Sequence, residues 1–86
     1  MTAYIINESH AAIALAINER TMRAYRLHPE KLSFIERMGT VGSEFDEVIE
    51  AYSKGDYVQT LYELLDLATT VCRAIEEMRD DCGVGL

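Results

Sequence analysis

Residues 41–78 read VGSEFDEVIEAYSKGDYVQTLYELLDLATTVCRAIEEM. Apolar residues recur at helical steps on both sides of Lys54-Gly55-Asp56: Val41, Phe45, Val48 and Tyr52 before it, and Leu61, Leu64, Leu65, Ala68, Val71, Cys72, Ile75 and Met78 after it. Lys54-Gly55 closes the first series, and Asp56, with Gln59 three residues on, opens the second as a variant of the capping box. So short a connection folds the two helices back on each other as antiparallel neighbours.

Outward from this hairpin, the first of its helices extends back through Met38, Ile35, Phe34 and Leu32 to about residue 30, behind a proline, Pro29, pre-set for a first helical turn. Gly39 and Gly42 interrupt it at about 1 kcal/mol each relative to alanine. One long helix over 30–54 is expected, the alternative being a bend or split with Ser43 capping a shorter piece. Upstream, Asn7 or Ser9 can cap a helix over 8–27 with Ile13, Ala16, Ile17 and Ala24 on one face, ended by His28-Pro29. The last helix covers 57–81 and stops at Cys82-Gly83. The expectation is one all-α domain over 1–86, a bundle of about three helices around a central antiparallel hairpin. Because 86 residues bury only about 60% of their unfolded surface, oligomerisation is expected to complete the core.

The composition agrees: 49% hydrophobic, five glycines, one proline and no tryptophan suit packed helices. A net charge of -7 argues against nucleic-acid backbones and anionic membranes as partners. The longest apolar run, Ala11–Ile17, is too short to span a bilayer and lacks the pattern of a secretory signal, so the expected location is cytoplasmic. Cys72 and Cys82 form no framework; reduced thiols are expected, with Cys72 a small core residue.

Acids spaced three apart are common in so acidic a chain, about 2 or 3 pairs by chance, so Glu44/Glu47 and Glu63/Asp66 mean little singly. Their placement about the turn is more informative. Glu47 lies eight residues before Gly55 and Glu63 seven after Asp56, while Glu44 lies eleven before and Asp66 ten after. At about 1.5 Å rise per residue the pairs stand level across the hairpin. Four converging carboxylates repel unless a cation neutralises them. Oxygen-only ligands suit magnesium, with manganese possible, and isolated His10 and His28 disfavour zinc. Such an ion would polarise a phosphoryl oxygen and activate a water, so that no nucleophilic side chain is needed.

The pattern Glu44-Phe-Asp-Glu47, then Glu63-Leu-Leu-Asp66, resembles the ExxE…ExxD signature of the all-α nucleotide pyrophosphohydrolases, the MazG-like superfamily. The flanking VGSEFDEVIEAYSKGD and YELLDLATTVCRAIEEM are similar to that family's helix end and helix start, over about half the chain, from Met38 to Met78. The resemblance implies hydrolysis of a nucleoside triphosphate between its α and β phosphates, with magnesium held by Glu44, Glu47, Glu63 and Asp66. It also implies a homodimer or homotetramer. The chain departs from many members in stopping before an extra C-terminal helix and in offering no tryptophan for the nucleobase.

Arg73, two turns beyond Asp66, and Lys54, at the end of its helix, are candidate phosphate contacts, although pairing with nearby acids and with the helix dipole explains them equally. Lys31 and Arg37 are weaker candidates. Tyr25, Phe34 and Tyr52 can stack on a base but fit a core as well. The rival expectations are a non-catalytic acidic interaction protein and a degenerate family member that binds nucleotide without cleaving it.

Overall fold

Three α-helices follow one another: α1 Glu8–Leu27, α2 Phe34–Ser53 and α3 Tyr57–Cys82. They come from a computed structural model describing residues 8–83 and 85. The described residues contain no strand, and no helix among them is long and apolar enough to cross a membrane. Asn7, one of two expected caps of α1, lies outside the described residues, and Ser9, the other, stands inside the helix.

α2 starts four residues later than Pro29-Glu30 implies. Ser33 Oγ accepts from the Glu36 backbone N–H at 3.2 Å while Glu36 Oε1 accepts from the Ser33 N–H at 3.0 Å, a reciprocal capping box. That box satisfies two donors at once, whereas proline at a first turn satisfies none, so residues 28–33 remain a connection. The helix then runs unbroken through Gly39 and Gly42. Tertiary packing of α2 against α3 offsets the glycine cost, and a methyl group at either position meets open space.

The hairpin turn is built from specific hydrogen bonds. The Lys54 N–H reaches Glu50 O at 3.2 Å, Gly55 N–H reaches Tyr52 O at 2.9 Å, and Asp56 N–H reaches Ala51 O at 3.1 Å. Gly55 takes φ +73°, the left-handed conformation that closes a helix with least strain when no Cβ is present. Asp56 Oδ1 then accepts the Gln59 N–H at 3.0 Å and starts α3.

α3 is the shared partner: α2 packs along it from one side and α1 from another, and α1 and α2 do not pack on each other. The α2–α3 seam buries Val48, Ala51 and Ala74 and a nearly buried, bidentate ion pair. In it Arg37 Nε donates to Glu77 Oε1 at 2.8 Å and the Arg37 Nη2 to Oε2 at 2.9 Å, which holds the Glu77 carboxyl below its usual range. α1 meets a polar strip instead. The buried Arg73 lies over the Tyr25 ring at 4.5 Å, and its Nη2 donates to His28 O at 2.7 Å, capping the C-terminal end of α1.

Because α1 occupies that polar strip, the apolar stripe of α3 stays open. Phe34, Met38, Val41, Val71, Ile75 and Met78 line a groove of about 480 Å³.

Two outcomes are expected in urea denaturation. Replacing Arg37 with Met strands the Glu77 carboxylate and costs about 3–5 kcal/mol, while the double change Arg37→Met/Glu77→Leu recovers most of it. Gly39→Ala gains up to about 1 kcal/mol, since the added methyl is unobstructed in a helix interior.

Candidate metal centre

Glu44 and Glu47 project from α2, and Glu63 and Asp66 from α3. The turn sets the register between them. Glu44, Glu63 and Asp66 each offer a carboxylate oxygen, and the three atoms lie within 4.8 Å of one another. Glu47 borders this triad and contacts Glu63 and Glu44 through its carboxyl group, but it is exposed and stands outside the 4.8 Å group.

Local structure aims these side chains. Gln59 was expected to complete a capping box with Asp56; its side-chain Nε2 instead donates to Glu63 Oε1 at 2.6 Å. Thr70, one turn on, donates its hydroxyl to the Asp66 backbone carbonyl at 3.0 Å. With Oε1 held by Gln59, the other oxygen of Glu63 is buried without a hydrogen-bond partner, as is Oε2 of Glu44. A carboxylate oxygen removed from water and given no donor is costly, and a cation between these atoms would relieve it. The donor set is oxygen alone, as hard divalent ions require. His28 sits at 3.8 Å from Glu30, outside the triad, so nothing here favours zinc.

Charge repulsion is visible in the acids themselves. Burial, then the neighbouring Asp66 and Glu63, raises the Glu44 carboxyl above its ordinary value. Glu47 is pushed up to about 7, first by its hydrogen bond with Glu63 and then by the charges of Glu44 and Glu63.

Two cavities flank the row of acids. The larger, about 440 Å³, is lined by Glu44 and Asp66 and by Arg20, Arg23 and Arg73 among others. The smaller, about 260 Å³, is bordered by Glu47, Glu63, Gln59 and Lys54. Arg20 of α1 forms an ion pair with Asp66 and lies 5.7 Å from the centre of the Tyr62 ring. Of the sequence candidates, Arg73 lines the larger cavity but spends its terminal nitrogens on backbone carbonyls of the α1 end. Lys54 lines the smaller one while paired with Glu50 at 2.9 Å. Lys31 pairs with Asp81, and Arg37 with Glu77. Tyr25 gives its face to Arg73, Phe34 lines the apolar groove, and Tyr52 packs on Tyr57 with ring centres 5.9 Å apart.

Sequence reasoning missed Arg20 and Gln59. Arg20 does leave a trace: it interrupts the apolar face of α1 between Ile17 and Ala24 at helical spacing, where a charge needs a partner on a neighbouring helix. Comparison of the chain with protein-family models, with curated proteins and with solved structures gives no match.

The raised carboxyls fix a sign for pH dependence. Glu47 binds its proton more tightly in the folded chain than in the unfolded one, so without divalent cations stability falls as pH rises from about 4.5 to about 7. Melting curves in a chelator at pH 5 and pH 7.5 will show this loss, and Glu47→Gln will flatten it; an unchanged slope in that variant would contradict the assignment.

Proposed function

We propose that the chain is a magnesium-dependent nucleoside triphosphate pyrophosphohydrolase, with manganese able to substitute, releasing nucleoside monophosphate and pyrophosphate. The observation that carries this reading is the triad of Glu44, Glu63 and Asp66, three oxygens from two facing helices within 4.8 Å, two of whose carboxylates keep buried, unpartnered atoms. An ordinary solvated acidic face would turn such oxygens to water.

In this reading Glu44, Glu63 and Asp66 hold the ion, Gln59 orients Glu63, and Glu47 closes the set from its edge. A divalent ion bound there supplies charge to a phosphoryl oxygen and lowers the pKa of a water. The larger cavity takes the phosphate chain, whose oxygens would meet Arg20 and Arg23 of its lining, since Arg37 and Arg73 are already engaged by Glu77 and by backbone carbonyls. A bond forms from the water oxygen to phosphorus, the anhydride bridge breaks toward pyrophosphate, and Glu47, beside the triad, accepts the proton released. Pairing of two copies through the groove of Phe34, Met38, Val71 and Met78 is part of the proposal, since exposed apolar side chains outnumber the buried ones. The expected location is cytoplasmic.

The test is a panel of canonical and modified nucleoside triphosphates with magnesium, followed by pyrophosphate release. At least one is expected to turn over, and Glu63→Gln to lower its rate by about 100-fold or more, given that even an outer partner of a metal ligand is worth 10–100-fold. A folded protein that cleaves none of them, yet melts at higher temperature with magnesium and nucleotide, would point to a binding protein without catalysis.

A further inference from the structure

Four arginines approach the acidic row or its larger cavity, and three of them differ in how firmly they are held. Arg37 is nearly buried in its bidentate pair with Glu77. Arg73 is buried under the end of α1, with carbonyl oxygens of Ala24, His28 and Glu30 around its terminal nitrogens. Arg20 is different: among the described residues it makes one ion pair, to Asp66, and its side chain is 30% exposed and that of Asp66 42%. The fourth, Arg23, is exposed and makes no ion pair among the described residues.

The partner of Arg20 is one of the three carboxylates a divalent ion would need. Two cations cannot share Asp66 at full strength, and Arg20 is the one on a flexible stem beside the larger cavity, which it lines together with Arg23. On the reading proposed above, a nucleotide brings its ion and its phosphates together. We infer that Arg20 is an exchangeable counter-ion: it neutralises Asp66 until a divalent ion takes that carboxylate, and the freed guanidinium then binds the phosphate chain in the cavity. The exchange leaves no group without an opposite charge, because Asp66 passes from the guanidinium to the divalent ion and Arg20 from a carboxylate to a phosphate. Guanidinium suits both partners, since its fork matches carboxylate and phosphate oxygens alike. The ligand class is therefore a metal-chelated polyphosphate, and ion and phosphate binding are coupled through one side chain.

The experiment is calorimetric titration of the full chain with manganese alone, and with an α,β-methylene nucleoside triphosphate in saturating manganese, for the wild type, Arg20→Gln and Arg20→Lys. Removing the competing guanidinium is expected to tighten manganese binding about 3- to 5-fold, the scale of a part-exposed ion pair. The same variant is expected to bind the nucleotide analogue about 10- to 100-fold more weakly, the scale of a charged hydrogen bond. Arg20→Lys keeps the charge, so its manganese affinity stays near wild type and its analogue affinity falls between the other two. Weaker or unchanged manganese binding in Arg20→Gln overturns the exchange while leaving the metal site standing. Absence of manganese binding in both the wild type and Arg20→Gln overturns the metal reading and the exchange with it.

Discussion

The reversal at Lys54-Gly55-Asp56 governs the geometry of everything between α2 and α3. Gly55 in its left-handed conformation and the cap at Asp56 leave almost no slack between the helices. Each side chain near the turn therefore meets its partner at a height set by counting residues. Glu44, Glu63 and Asp66 come within 4.8 Å for that reason. A residue added within α2 between Glu47 and Ser53 would rotate its acids by about 100° about the helix axis relative to the turn and part them from those of α3. The buried pair Arg37–Glu77, about five turns from the reversal on α2 and about six on α3, holds the far ends of the same two helices together. The acids lie between two clamps, which allows like charges to be kept close although they raise one another's affinity for protons.

The third helix obeys a different rule. α1 docks on α3 through Arg20–Asp66, through Arg73 stacked on Tyr25, and through a guanidinium that caps carbonyls at the α1 end. No apolar side chain of α1 is buried in the process; Thr21, at 8% exposure, is the one buried residue of that helix. Polar docking of this kind gives little net stabilisation per contact, but it makes geometry specific, since each donor must be aimed at an acceptor. It also leaves the apolar stripe of Phe34, Met38, Val71 and Met78 uncovered on the opposite side of the hairpin. A single chain thus presents a polar cavity and an apolar groove on different faces.

Much of this was legible in the residues. Periodicity located three helices because each carries apolar residues at helical steps, and the acids could be paired across the turn by arithmetic alone. The start of α2 was misplaced because two helix-start signals stood four residues apart, and the reciprocal bonds of Ser33 and Glu36 prevailed over Pro29. The spacing of Gln59 from Asp56 fits half of a capping box, but its side chain turns forward to Glu63, and both choices are open to an amide on the first turn of a helix. Arg20 escaped because its partner lies 46 residues away, beyond any local pattern. The spacing of Arg73 from Asp66 marks it as a candidate, yet spacing along α3 cannot show that the end of another helix arrives above it.

The same difference in reach sets an expected order for the folding of the chain. The hairpin closes a loop of a few residues, whereas the contacts that seat α1 join positions 45 to 49 apart. Loop-closure entropy grows with such separation, so near contacts are reached first and distant ones later. By that ordering the carboxylates are expected to be gathered before Arg20 reaches Asp66, and a chain whose α1 is not yet seated would leave its acidic row to counter-ions from solution.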